Sequence, residues 1–189
     1  MFVSPRHRAL AIAIVAAIAA ASLLVVSVIP AQAKLVAPRS KCAGQQNVRA
    51  PEPQQEEAMV CLINYARAHA GARHVGTQKS LEKAAGRKSG DVMKCGFSHT
   101  ACGRPADIYA RKFGYMRAPS WSWGENLAWG RGGLGTPRNI LKAWLNSPPH
   151  RDTMLNGNFE HLGLGLKRGS FSGHKNAAVW VLELGCHGC

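Results

Sequence analysis

Three side chains of this sequence have the types and spacing that could carry chemistry: His99, Glu125 and His150. His99 lies in the segment Phe-Ser-His-Thr, Glu125 in Gly-Glu-Asn-Leu-Ala, and His150 in Ser-Pro-Pro-His-Arg. Imidazole and carboxylate groups that converge from separate segments can hold a divalent metal ion or act as an acid–base pair. Each segment alone is a weak signal, but their combination and order, followed by Leu-Gly-Leu-Gly at 162–165, are specific.

Each of these side chains also has a purely structural interpretation. His99 could be a core histidine that is hydrogen-bonded to a backbone carbonyl, and His150 could cap a helix end. Glu125 could accept hydrogen bonds from nearby backbone N–H groups while Asn126 holds the same loop. Tryptophans on either side of Glu125 could hold a sterol, an acyl chain or a glycan, or could simply pack the core; they are Trp121, Trp123 and Trp129.

The first 33 residues have the pattern of an export signal. Arg6 and Arg8 precede an apolar run over 9–29, Pro30 breaks that run, and Ala-Gln-Ala at 31–33 is a small-x-small cleavage signal. We predict a secretory signal peptide at 1–33, an N-terminal arm at 34–53 and one domain at 54–189. The alternative is an uncleaved anchor, because the apolar run is long enough to span a bilayer. The mature protein is expected to be secreted, either free or attached to the cell envelope.

The mature chain is strongly basic, with 22 Lys and Arg residues against 10 Asp and Glu residues once Arg6 and Arg8 are removed. No arginine-rich block with interleaved aromatic residues marks a nucleic-acid surface. We therefore predict no nucleic-acid partner, and instead a lipid, a sterol or an anionic component of the cell envelope. Because the basic residues are scattered, a simple solvated surface is the alternative. We expect a monomer without a stable transmembrane segment after cleavage.

The mature chain has six cysteines, and an even number in an exported chain indicates a disulfide framework. Many connectivities are formally open, and local pairing is the simplest. A redox or structural zinc motif is the alternative for the last two cysteines. The expected pairs are Cys42–Cys61, Cys95–Cys102 and Cys186–Cys189.

Hydrophobic periodicity predicts helices first and strands last, and hence an α+β fold. Helices are expected over 54–70, 81–93 and 107–113, with a fourth that begins at Thr136-Pro137 and is ended by Pro148-Pro149. Half-buried alternation over 162–166 and an apolar run over 177–184 predict two strands that pair as an antiparallel hairpin.

The motifs around His99, Glu125 and His150, together with the segments 61–67 and 114–115, resemble the CAP superfamily. This superfamily comprises cysteine-rich secretory proteins, antigen 5 and pathogenesis-related 1 proteins, and the chain is most similar to its short bacterial SCP-domain branch. The resemblance extends from about Met59 to Gly185. It implies an α–β–α sandwich, in which helices cover both faces of a small, mainly antiparallel sheet. It also implies a cleft lined by histidine and glutamate, which binds a divalent cation in some members.

The resemblance assigns roles to individual positions of this sequence. His99 matches the first histidine of the family pattern, Glu125 its first glutamate and His150 its second histidine. The second glutamate has no match, since the region near Asn146 and Ser147 carries no carboxylate. We predict that His99, Glu125 and His150 converge in one cleft beside Asn126. Two imidazoles and one carboxylate could bind Zn or another divalent cation there.

The sequence favours a non-enzymatic binding module for a lipid, a sterol or an envelope partner. The alternative is a metal-dependent, protease-like extracellular hydrolase that uses His99, Glu125 and His150, with Glu125 as the candidate general base. Hydrolysis is less favoured because no nucleophile elbow and no group to stabilise an oxyanion can be recognised. A purely structural role at the cell surface is a third hypothesis.

Overall fold

A computed structural model describes residues 34–189, so the predicted signal peptide and its cleavage site lie outside the described residues. No helix within this range is sufficiently long and apolar to cross a membrane. The elements, in chain order, are α1 (Glu52–His69), β1 (Gly76–Thr77), α2 (Lys79–Cys95), α3 (Ile108–Lys112), β2 (Trp121–Arg131), α4 (Pro137–Asn146), α5 (Pro148–Leu155), β3 (His161–Phe171) and β4 (His174–His187).

The strands form one sheet in the order β1-β3-β4-β2, in which only the short β1–β3 pairing is parallel. The predicted β3–β4 hairpin is confirmed. The larger core cluster joins α1 and α4 to one face of the sheet, and a second cluster joins α2 to the other face. The predicted α+β class and α–β–α sandwich are therefore confirmed.

The glycines of β3 allow α2 to lie directly on the sheet. A Cβ atom at Gly163 would lie 2.1 Å from the backbone carbon of Leu81, and one at Gly165 would lie 2.2 Å from the carbonyl oxygen of Ala85. Leu162, on the opposite face, is fully buried in the larger core. The prediction of a half-buried strand was therefore wrong, because the helix backbone covers the glycine face as well.

Two elements that flank the site were not predicted. Pro148 and Pro149 end α4, as expected, but they also begin α5, because proline is tolerated in the first turn of a helix. Glu125 and Asn126 lie in the eleven-residue strand β2 rather than in a loop. This strand contains Gly, Ser, Asn and Glu, and its pairing with the apolar strand β4 determines its structure.

All three predicted disulfides are present, and they are Cys42–Cys61, Cys95–Cys102 and Cys186–Cys189. The first joins the N-terminal arm to α1. The second closes a loop that contains His99 onto the end of α2. The site therefore lies on a segment that is covalently fixed to the sandwich.

Candidate functional site

The centre of the site is a hydrogen bond between His99 and Glu125. The Nδ1 atom of His99 lies 2.7 Å from Glu125 Oε1. The carboxylate side chain is only 2% exposed, whereas the imidazole is 52% exposed. A buried carboxylate that accepts from Nδ1–H fixes the ring orientation and leaves Nε2 available on the open side. These two predicted residues are thus brought together as a dyad.

Lys88 is the third member of the site, and it was not predicted from the sequence. Its side chain is 1% exposed, and its ammonium lies 3.8 Å from Glu125 Oε2. It also donates hydrogen bonds to the carbonyl oxygens of His99 and Ala106. These partners offset the cost of burying a charge. The sequence signal for Lys88 is a charged residue on the apolar side of α2, which is consistent with the helix pattern and does not by itself indicate a site.

Glu183 places a second carboxyl group beside Glu125. The two residues are cross-strand partners in β2 and β4, and the Trp123 indole donates to Glu183 Oε2 at 2.8 Å. Burial first, and then the charge of Glu125, raise the pKa of Glu183 to about 8 despite the Trp123 hydrogen bond. Sequence analysis missed Glu183 because it lies within the apolar run of β4. Its signal was a single acid inside a strand that is otherwise buried.

His150 approaches from the other face of the sheet. Side chains alternate along a strand, so Glu125 faces α2 while Asn126 faces α5. Asn126 Nδ2 donates to the carbonyl oxygen of His150 at 2.8 Å, and His150 Nδ1 lies 2.8 Å from Ser147 Oγ. Asn126 therefore holds α5 against β2 rather than bracing a loop.

The charge of His99 acts on His150. Burial lowers the pKa of His150, and the charge of His99 lowers it further. Because β2 is an edge strand, segments from both faces can meet beside it. That His99, Glu125 and His150 share one ligand stays a prediction.

The expected zinc ion would compete with contacts that the site residues already make. Within residues 34–189, no three His, Cys, Asp or Glu side chains are grouped so that they could hold a metal ion. His99 Nδ1 and Glu125 Oε1 bind each other, and the Lys88 ammonium lies beside the second carboxylate oxygen. Zinc binding therefore stays a prediction, and no chemical step is derived through a metal.

The three tryptophans of β2 have separate environments, and all are partly exposed. Trp121 lies under the guanidinium of Arg111, at 5.5 Å from carbon to ring centroid. Trp123 binds Glu183. Trp129 packs against Phe171, with ring centroids 5.3 Å apart, and borders a cavity of about 250 Å³.

The family pattern covers the whole site. The family model described as "Cysteine-rich secretory protein family" (CAP) matches residues 60–184, which include all of the site residues. The chain belongs to the CAP family. Over 114 residues it is 36% identical to the uncharacterized protein YkwD of Bacillus subtilis. That alignment covers 58% of this chain but only 41% of YkwD, so the CAP chain spans about two fifths of this relative.

Two solved structures share the fold. An outer surface protein from Borrelia burgdorferi is 20% identical, with a TM-score of 0.60, and the match covers 73% of this chain and 96% of that one. An extracellular protein containing a SCP domain from Bacillus anthracis is 18% identical, with a TM-score of 0.54, and the match covers 71% and 43% of the two chains. At these identities the likeness establishes the CAP fold alone.

Proposed function

We propose that this CAP domain is an extracellular, non-enzymatic binding module whose ligand site is the cleft at His99, Glu125 and His150. The ligand class is a lipid, a sterol or another component of the cell envelope. The observation that carries the proposal is the 2.7 Å hydrogen bond by which a buried carboxylate holds a half-exposed imidazole. Such an arrangement orders a polar group at the surface before any ligand arrives.

The second oxygen of Glu125 supports a binding role. Oε2 is buried and has no hydrogen-bond partner among residues 34–189, since the Lys88 ammonium lies beyond hydrogen-bond distance at 3.8 Å. A buried polar atom without a partner costs free energy unless a water or a ligand supplies a donor. A hydroxyl or amide group of a bound molecule would satisfy it once the side chains that cover this oxygen move aside.

The nearby hydroxyl groups favour binding over catalysis. Ser98 Oγ is hydrogen-bonded to Thr100 Oγ1 at 3.0 Å, and Ser147 Oγ contacts His150 in the first turn of α5. In the described part of the chain, no serine or threonine hydroxyl is hydrogen-bonded to the His99 ring. The dyad therefore lacks the nucleophile that it would activate in a serine hydrolase.

The proposed location follows from the relatives. One structural relative is named an outer surface protein and another an extracellular protein. Three disulfides in the described residues also suit an oxidising compartment. Both observations support export of this chain.

Fluorescence titration tests ligand binding in the cleft. Purified protein is titrated with cholesterol and with palmitate while tryptophan emission is recorded, because three tryptophans lie on the strand that carries Glu125. We expect saturable binding of at least one probe, lost in His99→Ala and retained in His74→Ala, a matched change at an exposed histidine. Equal binding by both variants would reject the cleft as the ligand site.

Hydrolysis is the second candidate function, and the same 2.7 Å dyad favours it. A buried carboxylate that orients an exposed imidazole is also what a general base needs, and Nε2 of His99 could then activate a water molecule. A screen with peptide and ester substrates, with His99→Ala beside wild type, tests this alternative. Turnover that disappears in the variant would replace the binding proposal by an enzymatic one.

A further inference from the structure

A second concavity lies beside α2, and none of its lining residues belongs to the His99 cleft; we call it the α2 groove. It has a volume of about 390 Å³ and is lined by residues of α2, α3, β3 and the α2–α3 loop. Its charged residues are Arg87 and Asp91 from α2, Arg104 from the loop and Lys167 from β3. Pockets of this size accommodate small organic molecules.

The α2 groove carries an excess of positive charge. Asp91 is its only carboxylate, and that carboxylate is already bound by Arg104 at 2.6 Å and by the Tyr109 hydroxyl at 2.7 Å. Although burial acts in the opposite direction, these two hydrogen bonds lower the pKa of Asp91. Three cations and one anion leave a net charge of two positive units, which suits a phosphate ester.

Arg104 is held in place before any ligand binds. Asp91 occupies its Nη1 atom, and its guanidinium lies 6.0 Å from the centroid of the Tyr109 ring. The Cys95–Cys102 disulfide fixes the loop that carries Arg104 to the end of α2. The remaining N–H groups of the guanidinium form a planar fork, which matches the oxygens of a phosphate.

Two glycines keep the floor of the groove open. Gly86 and Gly90 lie one helical turn apart inside α2, and a Cβ atom at either position would meet no heavy atom within 4 Å. A glycine inside a helix costs roughly 1 kcal/mol relative to alanine. Packing among the described residues therefore does not require these glycines, whereas a ligand that approaches the helix backbone would.

A neighbouring cavity provides a contrast. This cavity, of about 430 Å³, lies between α1, α2 and β3, shares Gly86 with the α2 groove, and is bordered by Glu56, Glu57 and Glu82. Anions would be repelled there. The positive groove is thus a local feature of the surface and not only a consequence of the high net charge of the chain.

We propose that the α2 groove binds a phosphate ester, with Arg87, Arg104 and Lys167 as the groups that contact the phosphate. This proposal adds a site to the binding module and does not depend on the His99 cleft. The phosphate could belong to a soluble ester or polymer, or to a lipid headgroup. The two sources share the same recognition chemistry and are separated by experiment.

The test measures binding of glycerol 3-phosphate by calorimetry and of phosphatidylglycerol vesicles by co-sedimentation. Arg87→Gln and Lys167→Gln each remove one charge at an exposed position. Gly90→Met keeps every charge but places a side chain in the groove. Lys142→Gln, on the exposed side of α4, is the control matched for charge.

We expect the two charge variants and Gly90→Met each to weaken binding by about tenfold, with Lys142→Gln close to wild type. If the groove variants weaken the binding of glycerol 3-phosphate, the ligand is a free ester or polymer. If they weaken only the binding of phosphatidylglycerol vesicles, the ligand is a lipid headgroup. If neither probe binds wild type, or if Gly90→Met binds as wild type does, the proposal is overturned. Cholesterol and palmitate carry no phosphate, and the groove variants lie outside the cleft residues, so failure of the cleft proposal can be distinguished from failure of this one.

Discussion

Glu183 lies directly opposite Glu125 in the antiparallel pairing of β2 with β4. Directly opposed side chains in such a pair are close neighbours, and two opposed negative charges destabilise a sheet. The buried cation of Lys88 offsets one carboxylate, Glu125. The second carboxyl, Glu183, is hydrogen-bonded to Trp123, and its raised pKa of about 8 keeps it protonated near neutral pH.

Glu183 makes the stability of the protein fall as the pH rises. Between its ordinary pKa of about 4.5 and its folded value of about 8, the folded state holds a proton that the unfolded state has lost. Stability is thus fully present below about pH 4.5 and is lost as the pH rises to 8. Glu183→Gln keeps the hydrogen bond from Trp123 without an ionisable group. We expect it to raise the free energy of unfolding at pH 8 by about 2 kcal/mol or more.

Denaturant unfolding at about pH 4.5 and about pH 8 measures this difference. The variant should exceed wild type at the higher pH and match it closely at the lower one. Glu160→Gln, which removes an exposed carboxylate, is the control and should show no such dependence. An equal effect of Glu183→Gln at both pH values would mean that folding does not raise the pKa of Glu183.

The pKa of His150 reports whether the two histidines share a cleft. Burial and then the charge of His99 lower this pKa below its usual value of about 6.5. His99→Ala removes the second cause, so protonation becomes easier and the pKa of His150 should rise. Nuclear magnetic resonance titration of the imidazole measures the change, and His74→Ala should leave it unaltered. An unchanged pKa of His150 in His99→Ala would show that the two rings do not share a cleft.

The same shift has a consequence for stability. An unfolded chain takes up a proton on His150 at a higher pH than the folded protein does, so acidification favours unfolding. The contribution of His150 is intact above about pH 6.5 and is lost as the pH falls through the range below it. The contribution of His150 to stability falls with decreasing pH, whereas that of Glu183 falls with increasing pH. The two contributions are therefore best measured in separate variants.

The helices, the hairpin and the disulfides could be predicted because their signals are local. Apolar periodicity marks α1, α2 and α4, and the change of period marks β3 and β4. The strand β2 could not be predicted, because its polar and glycine residues are ordered by pairing with β4 along eleven positions. Long-range pairing of this kind leaves no local pattern.

The site could be predicted only in part, for a related reason. His99 and Glu125 were identified from their motifs and do form a hydrogen-bonded pair. Lys88 and Glu183 were missed because a charge inside an apolar pattern is explained only by its partners, which come from distant segments. The structure places the ammonium of Lys88 beside Glu125 and the indole of Trp123 beside Glu183.

Lys88 should weaken zinc binding at the cleft. A dication near Glu125 would lie close to the ammonium, and their repulsion in a partly buried site is substantial. Lys88→Gln removes the charge and retains a donor for the carbonyl groups of His99 and Ala106. We expect calorimetric titration to show zinc affinity at least about tenfold higher in Lys88→Gln than in wild type.

His99→Ala in the Lys88→Gln background should abolish the gained affinity, and circular dichroism checks that both variants are folded. Equally tight zinc binding by wild type and Lys88→Gln would contradict the repulsion argument. That result would favour the metal-dependent alternative, with zinc held by His99, Glu125 and His150.

The close contact of α2 with β3 supports the whole site, because α2 carries Lys88. Gly163→Ala would place a methyl group about 2.1 Å from the backbone of Leu81, where no flexible side chain can give way. We expect a loss of more than about 3 kcal/mol in unfolding free energy, or a protein that does not fold. Gly86→Ala, where a Cβ atom meets nothing within 4 Å, is the matched control and should leave stability equal or higher. Thermal unfolding of both variants measures this difference. Similar melting temperatures would show that α2 does not lie directly on β3. The positions deduced for Lys88 and Glu125 would then be wrong.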